Sequence, residues 1–307
     1  MKIAVRGSGG IGGYYGGRLA NANADVSFIA RGAHLQAMRE KGLKVISPLG
    51  DFHLAHVVAT DDPATIGTVD IVMFCVKLYD VEEACKLIKP LIGKDTAVIS
   101  FLNGIDSEER MRAILGDSAV VGGTAQIPSN IIKPGVIEHK ATLAALEFGE
   151  LDGRISQRLE HFYKLCTDAS IQSFLVDNIE TQIWLKFAIL VAFATACCLT
   201  RLPGKILIEE PVVQEIAVGA MKEVIALAKA KGVQLPPDAL ESRMALLGNF
   251  SNAMPSMLVD LLAGNRIELE GLQGAVVRMA KELKVSVPVH QVAYAALKPY
   301  VNGPPAP

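Results

Sequence analysis

The chain opens with MKIAVRGSGGIGGYYGGRLANA, residues 1–22, and this stretch decides the fold. Lys2–Arg6 predicts a short β-strand, and a helical pattern follows the glycines. Between them, Gly7, Gly9 and Gly12 form the pattern G-x-G-x-x-G. A strand, a glycine turn and a helix in this order are typical of the start of a dinucleotide-binding domain. A glycine-rich turn without a ligand is the plainer alternative.

Each glycine of this pattern has a physical role at a phosphate site. Gly7 permits the tight turn after the strand, Gly9 lets the backbone approach a pyrophosphate, and Gly12 lets the helix pack closely on the strand. The pattern therefore predicts a dinucleotide cofactor. The residues predicted to contact it in this loop are Gly7, Ser8, Gly9, Gly10, Ile11 and Gly12.

The second predicted strand, Asp25–Ala30, indicates which nicotinamide cofactor is bound. An NAD enzyme usually has an acidic residue at the end of this strand, where it holds the ribose 2′-hydroxyl. This chain has Ala30 and Arg31 there. Because a guanidinium suits a 2′-phosphate, we expect NADPH as the cofactor. A solvent-facing arginine after a strand is the alternative.

Apolar segments alternate with helical ones along the first half of the chain, which predicts an α/β fold built on a doubly wound parallel sheet. Ligands of such sheets bind beyond the carboxyl ends of the strands. The predicted strands are 53–60, 69–77, 96–104 and 119–125, and the predicted helices are 33–41, 81–90 and 107–115.

Two polar residues fall at the predicted carboxyl ends of these strands. Lys77 ends a strand that is otherwise apolar, and Asn103 precedes Gly104 at a predicted turn. Both are therefore candidates for ligand contact. Asn-Gly is also a common turn pair, so turn chemistry alone explains Asn103 equally well.

Strand signals end near residue 178, and helical patterns fill the rest of the chain. We therefore expect an NADP-binding Rossmann-like domain at 1–178 and an all-helical substrate and dimerisation domain at 179–307. The active site is expected in the cleft between them. The helices predicted in the second half are 179–200, 211–231, 237–249, 256–263, 268–284 and 289–298.

One helix of the second half is almost wholly apolar from Ile183 to Leu199, yet it carries Lys186 near its start. The plain explanation is that the lysine lays its methylenes on apolar surface and keeps its charge in water. The alternative is that the ammonium faces a site and takes part in chemistry. Two further polar residues have adequate structural explanations, because Ser256 suits a helix N-cap and Glu268 suits the first turn of a helix.

Bulk properties exclude several classes of protein. A net charge of −2 gives no basic footprint for nucleic acid. The sequence shows no signal peptide, and its most apolar run is short for a membrane span, so we expect a cytoplasmic protein without a membrane partner. The five cysteines form no CxxC motif and are interpreted as buried thiols, and the histidines show no metal-ligand spacing. A homodimer interface is one explanation of the 50% hydrophobic content.

Together, these segments resemble those of ketopantoate reductases (2-dehydropantoate 2-reductases). The resemblance runs from Met1 to about Tyr300, with several separated motifs in the family's order. The motifs are GSGGIGGYYGGRLA at 7–20, ARGAHLQAMREKGL at 30–43, CVK at 75–77, LNG at 102–104, PGVIEH at 134–139, WLK at 184–186 and SMLVDLLAGNRIELEGLQG at 256–274.

The resemblance implies the NADPH-dependent reduction of a 2-oxo acid to a 2-hydroxy acid. It also implies that the glycine loop, Arg31 and Lys77 hold NADPH. Asn103 would contact both cofactor and substrate, and Ile127 would offer its backbone to the cofactor.

The resemblance assigns further roles in the second half of the chain. Lys186 matches the family's catalytic lysine, and Ser256 matches a substrate-binding serine. Glu268 lies where the family has a functional glutamate, which implies a catalytic and cofactor-binding role.

The chain departs from the family's pattern in the substrate site. Family members carry asparagines one and two turns after the lysine, where this chain has Leu190 and Ala194. A third asparagine aligns with Ala253, beside Asn252. Because Leu190 and Ala194 would share the helix face of Lys186, we expect a less polar site that takes 2-oxo acids with plain alkyl or aryl side chains.

Two other functions fit the sequence. A 3-hydroxyacid dehydrogenase of the 6-phosphogluconate and 3-hydroxyisobutyrate type shares the two-domain plan and a helix lysine, but its asparagine four residues after that lysine is absent here. A non-catalytic NADPH-binding sensor would explain the lost asparagines. The presence of Lys186, Ser256 and Glu268 favours an enzyme.

Overall fold

The structure is a computed structural model that describes residues 1–305 of the 307-residue chain. It divides into two compact units. The first contains Met1–Leu102 and Ser107–Ile179, and the second contains Asn103–Asp106 together with the chain from Glu180 onward. The short segment Asn103–Asp106 therefore groups with the second unit, although it follows a strand of the first.

A large sheet of eight strands forms the centre of the first unit, in the order β12-β11-β8-β7-β6-β1-β2-β5. All its neighbouring pairs are parallel except β8 with β11. The predicted α/β class is confirmed, and one antiparallel pair makes the sheet mixed. In chain order, the strands are β1 (Lys2–Arg6), β2 (Asp25–Ile29), β3 (Leu43–Ile46), β4 (Phe52–Leu54), β5 (Val58–Thr60), β6 (Val69–Phe74), β7 (Ile92–Ser100), β8 (Val120–Gln126), β9 (Ser129–Lys133), β10 (Val136–His139), β11 (Ala145–Gly149) and β12 (Gln172–Leu175).

The central strands of this sheet are covered on both faces. Ile3, Ala4 and Val5 of β1 are all fully buried, which explains why the strand is a continuous apolar run rather than an alternating one. The helices of the first unit are α1 (Gly10–Asn21), α2 (Gly32–Lys41), α3 (Val81–Leu87), α4 (Ser107–Leu115) and α5 (Gln157–Asp168).

A second, small sheet of four strands was not predicted from the sequence. Its order is β4-β3-β10-β9, and its strands are short and partly exposed. The single strand predicted at 53–60 is wrong, because a bend at 55–57 divides it. Its first part joins the small sheet as β4, and its second part joins the large sheet as β5.

Helix α1 packs on the large sheet through glycines. A Cβ atom on Gly12 would lie 2.7 Å from a methyl group of Val5. One on Gly16 would lie 2.7 Å from Val5 and 2.8 Å from the ring of Phe28. Such distances are shorter than side-chain contacts allow, so only glycine permits this close approach of helix and sheet.

The opposite side of α1 packs on the small sheet in the same way. A Cβ atom on Gly13 would lie 2.8 Å from the side chain of Ile137 in β10, and one on Gly17 would lie 3.2 Å from the ring of Phe52 in β4. The helix therefore runs between two sheets, and both of its packed faces need small residues.

The second unit is helical throughout its described part, apart from an isolated bridge between Val301 and Gly303. The helix predicted at 268–284 begins five residues later, because residues 269–272 form a turn. The helix predicted at 237–249 is shorter and continues into a 3₁₀ turn at Leu247–Phe250. The helices are α6 (Ile179–Thr200), α7 (Ile206–Glu209), α8 (Pro211–Lys231), α9 (Ala239–Ala245), α10 (Ser256–Leu262), α11 (Gln273–Leu283) and α12 (Pro288–Leu297).

Helix α6 is long and apolar enough to cross a membrane by length and composition, with a mean hydropathy of 2.0. However, 78% of its most apolar window is buried inside the protein. The protein itself therefore covers the apolar surface that a bilayer would otherwise cover.

Candidate active site

The glycine loop lies at the carboxyl end of β1, in the middle of the large sheet. Gly7 has a φ of +95°, and a Cβ atom there would lie 2.5 Å from the carbonyl oxygen of Cys75. Only glycine satisfies both the conformation and the space. The turn therefore brings the chain close to the end of β6 before α1 begins.

The amino end of α1 has the form of an anion site. Gly9 is its N-cap residue, and the first turn contains no acidic side chain. The first N–H groups of a helix have no acceptor within the helix, so they are available to an anion. A Cβ atom on Gly9 would meet no protein atom within 4 Å, so the bare backbone faces open space. This cradle fits a pyrophosphate, and a side chain would narrow it.

The side chain of Ser8 is committed to the fold, which leaves its backbone for ligand contact. Its hydroxyl donates to the Ile29 carbonyl oxygen at 3.1 Å. His34 Nε2 lies 2.9 Å from the Ser8 carbonyl oxygen, and the Gly135 N–H donates to His34 Nδ1 at 3.1 Å. Because Nδ1 accepts, Nε2 carries the proton of a neutral ring. Burial lowers the pKa of His34, although the bond to Ser8 opposes this shift.

Arg31 lies after β2, as the sequence predicts, and it has a partner. Its Nη2 lies 3.2 Å from Oδ2 of Asp80, with 61% of the arginine side chain and 25% of the aspartate side chain exposed. The strand predicted to end at Lys77 in fact ends at Phe74, and Lys77 is the N-cap residue of a 3₁₀ turn at Leu78–Asp80. Arg31 and this turn thus follow the two strands that flank β1.

Two apolar cofactor candidates contribute mainly to packing. Ile11 and Ile127 are partly buried, and both pack against the core of the first unit. Ile127 lies in the turn between β8 and β9, where its carbonyl oxygen accepts a hydrogen bond from Ser129 N at 3.2 Å.

Two candidates that are far apart in the sequence meet in the second unit. Lys186 Nζ donates to Asn103 Oδ1 at 3.0 Å. Both side chains are half-buried, and Leu190, one turn further along α6, is half-buried as well. Ala194 is only 1% exposed, so it offers almost no surface to a ligand. The half-buried stripe of α6 therefore carries an ammonium followed by a hydrocarbon.

The segment that carries Asn103 is also held at its other end. Asp106 Oδ2 lies 3.3 Å from Nη2 of Arg278 on α11. The sequence analysis missed this pair, because 172 residues separate its members and neither belongs to a recognisable motif. The segment is thus attached to α6 by one contact and to α11 by the other.

The other two candidates of this unit are placed differently from their predicted settings. Ser256 is exposed and is the first residue of α10, whereas Pro255 occupies the N-cap position. Glu268 is only 5% exposed and lies in an irregular segment before α11 rather than in its first turn. Its carbonyl oxygen accepts the N–H of Leu272 at 3.1 Å, and helix α11 begins directly after that residue.

Other reactive groups do not form a second centre in residues 1–305. The five cysteines are free, and burial raises the pKa of Cys85, Cys166, Cys197 and Cys198 to about 12. Their thiols are therefore protonated at neutral pH and poor nucleophiles. Within the same range, no group of three or more His, Cys, Asp or Glu side chains is arranged to hold a metal ion.

Comparison with known families identifies both halves of the chain. Residues 3–153 match the family model described as "Ketopantoate reductase PanE/ApbA", and residues 178–301 match the one described as "Ketopantoate reductase PanE/ApbA C terminal".

Similar individual proteins cover the chain almost completely. The "Uncharacterized oxidoreductase YkpB" of Bacillus subtilis is 29% identical over 302 residues, which is 98% of this chain and 99% of that protein. The crystal structure of 2-dehydropantoate 2-reductase from Porphyromonas gingivalis W83 is 34% identical, with a TM-score of 0.83 over 97% of this chain and 99% of that one. A D-mandelate dehydrogenase with NADH and anilino(oxo)acetate shares the fold at 20% identity, with a TM-score of 0.88 over 98% of each chain.

Proposed function

The chain belongs to the ketopantoate reductase family, and we propose that it reduces a 2-oxo acid to the 2-hydroxy acid with NADPH. Members of the family are oxidoreductases that act on CH–OH groups. The observation that carries the proposal is the hydrogen bond between Lys186 and Asn103 at 3.0 Å. An ammonium fixed by an amide is a preorganised acid, whereas a lysine that only snorkels needs no such partner.

Lys186 supplies charge and a proton to the reaction. NADPH, when bound, supplies a hydride to the carbonyl carbon of the substrate. As the new C–H bond forms, the C=O π electrons move to oxygen, and the Lys186 ammonium stabilises that charge and then donates its proton. The lysine regains a proton from solvent. Asn103 accepts a hydrogen bond from the ammonium, which orients it.

Three features of the first unit support NADPH as the cofactor. The bare backbone around Gly9 suits a pyrophosphate at the amino end of α1. Arg31 stands where an NAD enzyme has an acid, and its guanidinium suits a 2′-phosphate. Lys77 follows β6, on the other side of β1, and adds a second positive charge at this edge of the sheet.

Leu190 supports a substrate with an apolar side chain. It is half-buried on the same stripe of α6 as Lys186, where the family has an amide. A site that hydrogen-bonds a hydroxyl rejects analogues that lack one, whereas an apolar site gains only about 1–3 kcal/mol per methylene. We therefore expect 2-oxo acids with alkyl or aryl side chains to react at least as well as ketopantoate.

The experiment is a turnover panel followed by NADPH absorbance. We expect reduction of 2-oxoisovalerate, 2-oxo-4-methylpentanoate and phenylglyoxylate, with kcat/KM comparable to or above that for ketopantoate. The same panel is repeated with NADH, and NADPH is expected to give the higher kcat/KM.

The alternatives give different results in this panel. A sensor would bind NADPH without turning over any of the acids. A 3-hydroxyacid dehydrogenase would oxidise 3-hydroxyisobutyrate or 6-phosphogluconate instead. A preference for ketopantoate of tenfold or more in kcat/KM corresponds to about the free energy of one hydrogen bond. Such a preference would contradict the apolar-substrate proposal but not the proposed reaction type.

The compartment is part of the same proposal. Five free, largely buried thiols suit a reducing environment, and we expect the enzyme to work in the cytoplasm.

A further inference from the structure

One nitrogen of a buried arginine at the end of β1 lacks a hydrogen-bond partner within residues 1–305. Arg6 is the last residue of the strand, and only 3% of it is exposed. Its Nε is fully buried and has no hydrogen-bond partner within residues 1–305. A buried N–H donor of a charged group is costly to leave without an acceptor. Such a group in a stable fold calls for an explanation, and an ion that binds there is one.

The register of the sheet shows where Arg6 points. Val5 faces α1, since its methyl groups contact the helix at Gly12 and Gly16. Successive side chains of a strand alternate, so Arg6 points to the other face of the sheet. Its neighbours across the sheet are Ile29 in β2 and Phe74 in β6, and both of these strands end at the same edge as β1.

The other charges near Arg6 belong to the corner that contains Arg31. Burial and the charge of Arg31 lower the pKa of Arg6, while the charges of Asp80 and Glu83 raise it. Arg31 itself forms an ion pair with Asp80 at 3.2 Å. The four side chains thus form one charge cluster beyond the carboxyl ends of β1 and β2.

The balance of this cluster depends on Arg6. Without it, the charges of this corner would be those of Arg31 and Lys77 against those of Asp80 and Glu83, and they would cancel. A phosphate dianion would then gain no net attraction from the corner. With Arg6 present, three cations face two carboxylates, and an incoming phosphate meets net positive charge.

We propose that Arg6 is a second guanidinium of the 2′-phosphate site and that it sets the preference for phosphorylated over unphosphorylated adenosine. This inference rests on the proposed use of NADPH. Arg31 contacts the phosphate from the exposed side, and Arg6 supports it from beneath, where water is scarce and the charge is worth more. The ligand chemistry is that of a phosphate monoester on the ribose of an adenine nucleotide.

The test compares two fragments that differ only in the 2′-phosphate. The affinities of 2′,5′-ADP and 5′-ADP are measured by calorimetry on wild type and on Arg6→Met. We expect the variant to bind 2′,5′-ADP about tenfold more weakly or worse, with 5′-ADP changed less than about threefold. Arg39→Met is the matched control, because Arg39 is a half-exposed arginine of the same unit, paired with Asp61, and its loss should change neither affinity.

Three results would overturn the inference. Equal losses for both fragments would mean that Arg6 supports the adenosine site or the fold in general. No loss for 2′,5′-ADP would mean that Arg6 only neutralises Asp80 and Glu83. A wild type that binds the two fragments equally would remove the 2′-phosphate site altogether, whereas the reduction of 2-oxo acids would still stand or fall by turnover with NADH.

A second measurement covers the case in which Arg6→Met does not fold. A buried arginine Nε–H gives a resolved NMR signal, which is assigned through its absence in Arg6→Lys. In the wild type, the chemical shift of this signal should change when 2′,5′-ADP saturates the protein. With 5′-ADP, the change in chemical shift should be smaller than the linewidth. A signal that moves equally with both fragments, or with neither, would overturn the inference.

Discussion

The two helices that carry the proposed chemistry, α1 and α6, are built in opposite ways. Helix α1 has 12 residues and contains five glycines, whereas α6 has 22 residues and contains none. The backbone of α1 is approached by two sheets, so side chains would collide on both of its packed faces. Helix α6 contacts its neighbours through large apolar side chains such as Trp184 and Phe187, each of which is 1% exposed. Helix composition therefore shows whether neighbours pack on the backbone or on the side chains.

The proposed function lies where each helix departs from its own pattern. In α1 the departure is at the N-cap, where the backbone at Gly9 faces open space instead of a sheet. In α6 it is the half-buried stripe with Lys186 and Leu190, in a helix that is otherwise almost entirely buried. Substitutions at these two places test whether they bind the cofactor and carry out the reaction.

The largest effect is expected at the ammonium of α6. Lys186→Ala should lower kcat by about 10²–10⁴-fold, which is typical of a lost general acid, while NADPH affinity stays unchanged. Steady-state kinetics and fluorescence titration measure the two quantities. Lys222→Ala on α8 is the matched control, because that lysine is exposed and its loss should change neither. Near-normal turnover of Lys186→Ala would show that the lysine only snorkels.

Next in size is a pair of adjacent substitutions at the start of α1. In Gly10→Ala, the new Cβ would lie 2.2 Å from the backbone oxygen of Ser129, so we expect a loss of about 1–3 kcal/mol of stability. In Gly9→Ala, the new Cβ meets no protein atom, so stability should change by less than about 0.5 kcal/mol while NADPH binding weakens. Chemical denaturation without cofactor and NADPH titration separate the two. If both variants lost stability equally, Gly9 would not border an open cradle.

A smaller shift is expected from restoring an amide on the stripe of α6. Leu190→Asn should raise kcat/KM for ketopantoate relative to 2-oxo-4-methylpentanoate by about tenfold. Ketopantoate would gain a hydrogen bond to the new amide, whereas 2-oxo-4-methylpentanoate would lose its apolar contact with the leucine. Leu199→Asn is the control, because Leu199 is also half-buried on α6 but lies nine residues further along. An unchanged substrate ratio in Leu190→Asn would mean that this side chain does not face the substrate.

The smallest effect concerns the bond that ties Ser8 to the small sheet. Burial lowers the pKa of His34 in the folded protein, so the unfolded chain takes up this proton first. The stabilising contribution is therefore full above the ordinary histidine pKa of about 6.5, and it declines as the pH falls from there toward the lowered folded value. Denaturation at pH 7.5 and 5.5 should show a loss of about 1 kcal/mol or less that His34→Gln abolishes.

The matched control for this experiment is His53→Gln. His53 also bonds a backbone oxygen, that of Lys41 at 2.8 Å, but it is exposed. Its substitution should leave the pH dependence as in the wild type. If His34→Gln kept the same dependence, another buried group such as His139, whose pKa burial also lowers, would be responsible.

Local patterns predicted the large sheet well and the small sheet not at all. The apolar runs of β1 and β6 are buried on both faces, and such runs are recognisable without partners. The strands of the small sheet are short and partly exposed, so their periodicity is weak. A signal was present in Gly13 and Gly17, which are on the side of α1 that the large sheet does not cover.

The sequence predicted the individual residues of the candidate site but not how they are arranged in space. Lys186 and Asn103 were found separately, and no local pattern indicates that residues 83 positions apart share a hydrogen bond. Glu268 was placed on a helix because its surroundings have a helical period, yet a turn at 269–272 intervenes. Arg6 escaped notice because a charged residue at a strand end is usually solvated.

The segment Asn103–Asp106 has a consequence for the modularity of the chain. It belongs to the second unit, held there by Lys186 and Arg278, although the residues on either side of it belong to the first. The polypeptide therefore crosses between the units three times, and no single cut separates them. A gene fragment starting at residue 179 would encode the lysine without its amide partner. Recombination between relatives can exchange this unit intact only if residues 103–106 are exchanged with it.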